Sequence, residues 1–278
     1  MSTQTEETRY THPSSEQTTE LFANTRTGKF HAAFFVPHLR PNMTVLDCGC
    51  GPGSITLDLA SVIAPGKIVG IDTDAKAIAR AERRIVEQKV SNASFRQADV
   101  NELPYPNASF DAIYVNALLI HLSNPQTALT EIARVLKPDG ILGVSEPETL
   151  TSVIFPPNEY VQQMITRIWP GLFEVNGGDP KAGRKLIPLL HEAGFTPISH
   201  TGQYEIWDGN KKNILVDYAQ YLFSLSPILK LVEEAGLADQ AWLDTLVNQE
   251  LPQWRREPNA MWAHGWFQVV GKKAHSES

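Results

Sequence analysis

Apolar residues recur with two different spacings along this chain from Thr44 onward. Helical spacing marks three segments, Ser54–Ala64, Ala75–Gln88 and Thr127–Leu136. Short apolar runs typical of strands stand between and around them, at Thr44–Cys48, Lys67–Ile71, Ser94–Ala98, Asp111–Val115 and Ile141–Ser145. Strands that alternate with helices predict an α/β fold with a doubly wound, mostly parallel sheet.

This rhythm breaks after Glu146. Residues 147–180 contain Pro156-Pro157 and Gly177-Gly178, which predict an insertion with some helix near Glu159–Ile168. A helix then resumes at Lys181–Ala193, and a mainly helical segment, Asn213–Glu250, separates two final strands, Phe195–Tyr204 and Ala260–Gly271. We therefore predict four parts: an N-terminal helical lid at 1–40, a core at 41–204 that includes the insertion 147–180, a helical substrate-side insertion at 205–260, and a final core strand with its tail at 261–278.

A glycine-rich turn follows the first strand. Gly49, Gly51 and Gly53 alternate with other residues after Asp47, and the helix begins at Ser54. A strand that turns into a helix this way points backbone N–H groups and a positive dipole end at an anionic or nucleotide-like ligand. The dinucleotide fingerprint G-x-G-x-x-G would require a third glycine at Ser54, so the spacing disfavours it. An ordinary strand–helix turn is the alternative.

Polar residues end three further strands of the predicted sheet. Asp72, Asp99 and Asn116 follow the second, third and fourth strands. The carboxyl ends of parallel strands form the ligand-binding edge of an open α/β sheet. We therefore expect these three side chains to meet near the glycine-rich turn.

These motifs together resemble the class I S-adenosylmethionine (SAM) dependent methyltransferases, in the branch that includes ubiquinone- and menaquinone-type methyltransferases. The resemblance covers residues 42–146 and is carried by ordered motifs: Val45–Gly51, Gly70-Ile-Asp72, Ala98-Asp99-Val100, Phe110-Asp111, Asn116 with His121-Leu122, and Glu131–Gly140. It implies a seven-stranded Rossmann-like sheet with N-terminal helices and a helical insertion before the last strand. Residues 178–204 and 261–272 resemble the family's last helix and its antiparallel strand pair.

The resemblance also implies a cofactor, SAM, with S-adenosylhomocysteine (SAH) as its product. Asp72 would accept hydrogen bonds from the ribose hydroxyls, as charge-assisted bonds favour, and Thr73 would add a ribose contact. Asp99 and Val100 would hold the adenine. The residues beside the methionine part would be Asp47, Gly49, Gly51 and Asn116.

The expected chemistry is in-line displacement of a methyl group, with positioning of the acceptor as the main catalytic device. His121 is the candidate general base because it follows strand four, although a histidine that only bonds backbone is the alternative. The acceptor is expected to be a small hydrophobic or aromatic metabolite of secondary metabolism. Aromatic residues of the variable segments could line its pocket, and ordinary core packing explains most of them equally well: Tyr10, Phe22, Trp169, Phe173, Trp207, Tyr218 and Trp262.

The composition of the chain limits the kinds of molecule that it is expected to bind. The 278 residues carry a net charge of −7 and no long basic run, which disfavours nucleic acid. No apolar run approaches the length of a membrane span, and the polar N-terminus predicts no signal peptide and a cytoplasmic protein. The two cysteines, Cys48 and Cys50, are too few for a structural zinc site, so no metal is expected. A monomer and a homodimer are both open.

Three other functions compete with this interpretation. A SAM-binding catalyst that transfers no methyl group, such as a cyclase, would carry the same cofactor motifs. An NAD(P)-dependent oxidoreductase can have the same kind of α/β fold, but the missing third glycine argues against this function. A methyltransferase of nucleic-acid bases is disfavoured because Asn116 is not followed by a Pro-Pro-aromatic sequence.

Overall fold

Seven strands form one sheet in the computed structural model, which describes residues 25–274. Their order across the sheet is β3-β2-β1-β4-β5-β7-β6. β1 to β5 pair in parallel, and β7 lies antiparallel between β5 and β6. The bounds are β1 Thr44–Cys48, β2 Lys67–Asp72, β3 Ala93–Gln97, β4 Phe110–Asn116, β5 Leu136–Phe155, β6 Phe195–Trp207 and β7 Met261–Lys273.

Helices connect and cover these strands. Those of the core are α1 Gly28–His31, α2 Ser54–Ile63, α3 Ala75–Gln88 and α4 Pro125–Val135. After β5, α5 Glu159–Gln163 continues through a π-helical turn, Met164–Ile168, into α6 Trp169–Val175. The rest are α7 Leu186–Glu192, α8 Gly209–Leu222, α9 Ser226–Glu234, α10 Gln240–Thr245, a second π-helical turn Leu246–Glu250, and α11 Leu251–Arg256, with short 3₁₀ turns at Val36–His38, Leu119–His121 and Gly183–Lys185. Within residues 25–274, no helix has both the length and the apolar character needed to cross a bilayer.

The predicted fold class is confirmed, and so is the antiparallel pairing of the last two strands. Strand five is longer than predicted, because residues 147–155 extend it instead of beginning an insertion. This stretch is rich in β-branched residues, which fit a sheet, and it pairs with the thirteen-residue β7.

Residues Lys137–Gly140, between the predicted helix Thr127–Leu136 and the predicted strand Ile141–Ser145, lie inside β5. The pairing of β4 with β5 jumps from Phe110↔Leu136 to Ala112↔Ile141, so these residues form a bulge. Asp139 takes a left-handed conformation there, with φ of 63°. Strand five therefore begins five residues earlier than predicted, at Leu136.

Alternate residues of the strands bury the two faces of the sheet against different helices. Leu46 on β1 belongs to a cluster with Leu129 of α4 and Leu186 of α7. Its neighbour Val45 belongs to a cluster on the opposite face with Leu59 of α2. Since side chains of a strand point alternately to the two faces, coverage on both faces explains the near-continuous apolar runs of β1 and β4.

A third apolar cluster lies away from the sheet. It joins the helices after β5 to the helices between β6 and β7, through side chains that are almost entirely buried, such as Val161, Ile168, Tyr218, Leu246 and Trp254. Two segments that are far apart in the sequence therefore share one core. This helical layer borders the carboxyl edge of β5, where the strand runs on beyond the parallel part of the sheet.

Candidate active site

The glycine-rich turn after β1 needs its glycines for two different reasons. Gly49, Gly51 and Gly53 all have positive φ, at 72°, 51° and 80°, a region that L-residues seldom enter. A Cβ on Gly53 would also stand 2.5 Å from the Phe95 ring, whereas a Cβ on Gly51 would meet no atom of the described residues within 4 Å. Gly53 therefore serves packing, and Gly51 leaves open space beside the turn.

Asp72 ties this turn to the end of β2. Its Oδ2 accepts a hydrogen bond from Gly51 N at 2.9 Å, and its Oδ1 accepts one from Asp74 N, also at 2.9 Å. Burial raises the pKa of Asp72, and these backbone donors oppose the rise. A carboxylate offers about four lone-pair positions, so each oxygen keeps room for a further donor.

Asp47 and Asn116 lie at the neighbouring ends of β1 and β4, and both are buried. Thr56 Oγ1 donates to Asp47 Oδ2 at 2.6 Å, and burial raises the pKa of this carboxyl to about 7. Asn116 donates from Nδ2 to Ser145 O at 3.4 Å, while its Oδ1 is buried and accepts no hydrogen bond from the described residues. An unpaired buried acceptor is costly, so this oxygen suits a donor supplied by a ligand.

A pocket opens next to this edge. One side is formed by residues that follow β4 and by the end of β5, among them Ala117, Ile120, His121 and Pro147. The other side consists largely of aromatic rings from α6 and β7, which are Trp169, Phe173, Trp262 and Trp266, together with His264 and Arg26. Such a mixture of apolar walls and a few polar groups is typical of small-molecule sites.

Comparison with known proteins agrees with this geometry. The methyltransferase domain family matches residues 39–194, which is more than half of the chain. The chain belongs to this family. The predictions of a methyltransferase and of SAM as its cofactor are confirmed.

The similarity between this methyltransferase and its relatives extends beyond the matched domain in some cases. It is 29% identical over 270 residues to a protein of Aspergillus luteorubrus named probable methyltransferase ltbC, covering 90% of this chain and 92% of that one. It is 35% identical over 111 residues to demethylmenaquinone methyltransferase of Lactobacillus johnsonii, covering 39% and 46%. A SAM-dependent methyltransferase structure from Methanosarcina mazei superposes with a TM-score of 0.54 at 17% identity, covering 87% of this chain and 98% of that chain.

The structure places the remaining predicted cofactor residues of the methyltransferase at the same edge. Asp99, which is exposed, follows β3 and accepts hydrogen bonds at Oδ1 from both Asn101 N and Asn101 Nδ2. Val100 is buried beside it. Thr73 is exposed after β2, and its carbonyl accepts from Gln97 Nε2 at 3.0 Å. Their contacts with a cofactor stay predictions.

The predicted acceptor residues fall into three groups. Trp169, Phe173 and Trp262 line the pocket, as does His121, whose ring centroid lies 5.1 Å from that of Phe173. Among the described residues, Tyr218 and Trp207 stand one layer behind, because Tyr218 stacks on Trp169 at 5.3 Å and Trp207 contacts Trp262 at 5.5 Å. Tyr10 and Phe22 lie outside the described residues.

Three buried carboxylates, Glu146, Glu148 and Glu205, escaped the sequence analysis, and two of them bear on the site. The first is Glu146, which accepts hydrogen bonds from Leu118 N, Leu119 N and Ile120 N at 2.9 to 3.2 Å and so shapes the loop after β4. Burial raises the pKa of Glu146 to about 7, against the effect of these donors. Its position directly after the predicted strand five was the available signal.

The second is Glu205 of β6, which pairs across the sheet with His264 of β7. Its Oε2 lies 3.1 Å from His264 Nε2 and 3.2 Å from Trp266 Nε1. Although burial opposes it, the hydrogen bond from His264 and the nearby His31 ring, whose Nε2 is 3.6 Å from Oε2, hold the pKa of Glu205 well below its usual range. A signal for His264 was present in the sequence, because Trp262, His264 and Trp266 alternate along the strand and therefore share one face of β7.

Proposed function

We propose that this methyltransferase transfers a methyl group from SAM to a small hydrophobic or aromatic molecule, in keeping with a role in secondary metabolism. The observation that carries the proposal is the aromatic-walled pocket beside the carboxyl ends of β4 and β5. A pocket with apolar aromatic walls suits a small molecule and offers little to a charged polymer.

The residues at the sheet edge fit SAM. Within the described part of the chain, no atom lies within 4 Å of the place where a Cβ of Gly51 would stand, so a ligand can approach the backbone there closely. The unpaired Asn116 Oδ1 and the neighbouring Asp47 carboxyl are acceptors suited to the ammonium group of the methionine part. We assign Asp72 and Thr73 to the ribose, and Asp99 and Val100 to the adenine. Gly49 and Gly51 would flank the methionine part.

SAM supplies an activated methyl group on a sulfonium, and the protein's own task is mainly positional. The Trp169 and Trp262 rings, whose centroids are 5.9 Å apart, form a rigid apolar wall. Such a wall orients a flat acceptor and excludes water from the reacting atoms. Orientation of this kind accounts for a large share of catalysis in reactions between two bound molecules.

The first experiment is calorimetric titration of the purified protein with SAH, with NADH titrated in parallel. We expect SAH to bind and NADH to give no heat. The reverse result would move the protein to the oxidoreductases. Conversion of SAM to SAH is then measured with a panel of aromatic acceptors. A product that forms from an acceptor without any SAH would point instead to a SAM-binding catalyst of another reaction.

The acceptor pocket has its own test, in which Trp169→Leu is compared with Trp242→Leu. Both tryptophans are half-buried against the helical core, but Trp242 stacks on Tyr160 and is not among the pocket residues. Loss of one aromatic contact is worth about 0.5–1.5 kcal/mol, so Trp169→Leu should raise the KM for the acceptor about 2- to 12-fold. Equal KM effects from the two variants would contradict the assigned pocket.

A further inference from the structure

The pocket wall contains a histidine–carboxylate pair that the sequence motifs do not assign. Trp262, His264 and Trp266 project from one face of β7 into the pocket. Glu205, directly opposite His264 on β6, points to the same face of the sheet and is almost fully buried. His264 therefore lines the proposed acceptor site, and Glu205 stands beside it.

The orientation of the His264 ring is fixed on two sides. Trp262 stacks on it, with ring centroids 4.4 Å apart and an angle of 12° between the planes. Glu205 Oε2 stands 3.1 Å from Nε2. An ionised carboxylate can only accept a hydrogen bond, so Nε2 carries the proton that is donated to Glu205. Nδ1 is then the basic nitrogen, and it has no hydrogen-bond partner among residues 25–274.

Charges from several elements bear on this ring. Glu205 favours its protonated form, while Arg26 at the pocket and His31 of α1 oppose it. Lys211 of α8 also pairs with Glu205, through Oε1. Burial is the largest influence and lowers the pKa of His264 below its ordinary value. The ring is therefore neutral near pH 7 and can accept a proton, and Glu205 would stabilise the imidazolium that results.

A metal site is the obvious rival for a group that contains Glu205, His31 and His264. His31 Nε2 lies 3.6 Å from Glu205 Oε2. Over the described part of the chain, however, no three histidine, cysteine, aspartate or glutamate side chains are arranged to hold a metal ion. The two histidines instead lie on either side of one carboxylate oxygen, Glu205 Oε2. In this arrangement His264 can accept a proton while it is paired with Glu205.

We propose that His264 is the general base of this enzyme, that Glu205 positions it, and that the acceptor presents a weakly acidic hydroxyl of the phenol or enol class. This inference rests on the proposed methyl transfer and names its substrate class. The acceptor oxygen gains the methyl carbon, and its proton passes to Nδ1 of His264. The electron pair of the broken S–CH₃ bond stays on the donor sulfur, and the imidazolium later releases its proton to water.

His121 is the competing base, since it also lines the pocket. It is exposed and its ring stands against Phe173, whereas His264 is buried and paired with a carboxylate. The matched control is His200→Gln, which replaces an exposed histidine of β6 that is not among the pocket residues. Both His264→Gln and His121→Gln are compared with this variant.

The test uses 4-nitrophenol, whose phenolate is coloured, and needs no methyl donor. The probe is titrated with the full chain at a pH where the free phenol is protonated, and bound phenolate is read from its absorbance. We expect phenolate to appear with the wild-type protein and with His200→Gln, and to be lost in His264→Gln. Glu205→Gln should move the midpoint of phenolate formation to higher pH, and Glu205→Asp should move it less.

Binding of SAH is measured on every variant, so failure of the proposed function is separated from failure of the base. If the wild type does not bind SAH, the methyltransferase proposal fails. If SAH binds normally but phenolate is absent from the wild type, persists in His264→Gln, or follows His121→Gln, the assignment of His264 is overturned. With a turned-over phenol, His264→Gln should lower kcat about 10²- to 10⁴-fold while SAH affinity stays unchanged.

Discussion

Gly51→Ala tests whether the open space beside the glycine-rich turn is the cofactor site. The added Cβ would meet no atom of residues 25–274 within 4 Å, so these residues give no clash that would prevent folding. The backbone φ of 51° is unfavourable for alanine, at a cost of about 1–2 kcal/mol. The new methyl group would stand where the methionine part of SAM is proposed to approach the backbone.

The expected loss of binding follows from the same geometry. A methyl group forced into occupied space costs about 1–3 kcal/mol, which corresponds to a roughly 5- to 150-fold rise in the Kd for SAH. Gly194→Ala is the matched control. Gly194 also has a positive φ, 80°, and open space at its Cβ, but it precedes β6 at the opposite edge of the sheet.

Calorimetric titration with SAH gives the two affinities, and denaturant unfolding gives the two stabilities. Both variants should lose a similar amount of stability, and only Gly51→Ala should lose affinity. An unchanged Kd in a folded Gly51→Ala protein would refute the placement of the cofactor at this turn.

Three further outcomes are expected. Asp72→Asn should weaken SAH binding by about 1.5–3 kcal/mol for each ribose hydrogen bond lost, whereas Asp139→Asn, at a surface ion pair with Lys272, should not change the Kd measured by calorimetry. Gly53→Ala should destabilise the fold by about 1–3 kcal/mol beyond the backbone strain that Gly194→Ala reports, because its Cβ overlaps Phe95, and equal denaturation midpoints for the two would contradict this. Because burial raises the pKa of Asp47 to about 7, the ligand-free protein should lose on the order of 3 kcal/mol of stability as pH rises from about 4 through 7, and Asp47→Asn should flatten the curve measured by denaturation.

The sign of the pH effect follows from proton uptake. The folded protein keeps the Asp47 proton up to a higher pH than the unfolded chain does. The stability that this proton contributes is therefore complete below the pKa of Asp47 in the unfolded chain, and it disappears as the pH rises through the pKa of Asp47 in the folded protein. The ammonium group of the ligand prefers the ionised carboxylate. SAH affinity should therefore increase as pH rises towards 7, and a binding reaction that takes up protons instead would contradict the proposed neighbour of the ammonium group.

Local signals were sufficient for several elements. Helix α3 begins and ends where its apolar spacing predicts, and Asp74 caps it by accepting from Lys76 N at 2.8 Å. The N-cap residue and the helix lie next to each other in the chain, so the sequence contains both sides of the interaction. The three strand-end residues Asp72, Asp99 and Asn116 were found in the same way, since parallel strands bring their carboxyl ends to one edge.

The end of β5 and the bulge at Lys137–Gly140 depend on partners that are distant in the chain. Residues 147–155 are strand because β7, more than a hundred residues later, supplies their hydrogen bonds. Pro138 and Gly140 favour a turn by local preference. Because β4 pairs with Leu136 before them and with Ile141 after them, the residues between form a bulge within the strand.

The sequence by itself determined the fold class, the glycine-rich turn and the polar strand ends, because each depends on residues that are close in the chain or on a fixed rule of parallel sheets. Only the tertiary structure decided that the two helical segments share one core and enclose one pocket with the end of β5. It also decided that Glu205 meets His264, since cross-strand register joins residues 59 positions apart. Shape complementarity between distant apolar faces selects that arrangement, and no local period of the sequence records it.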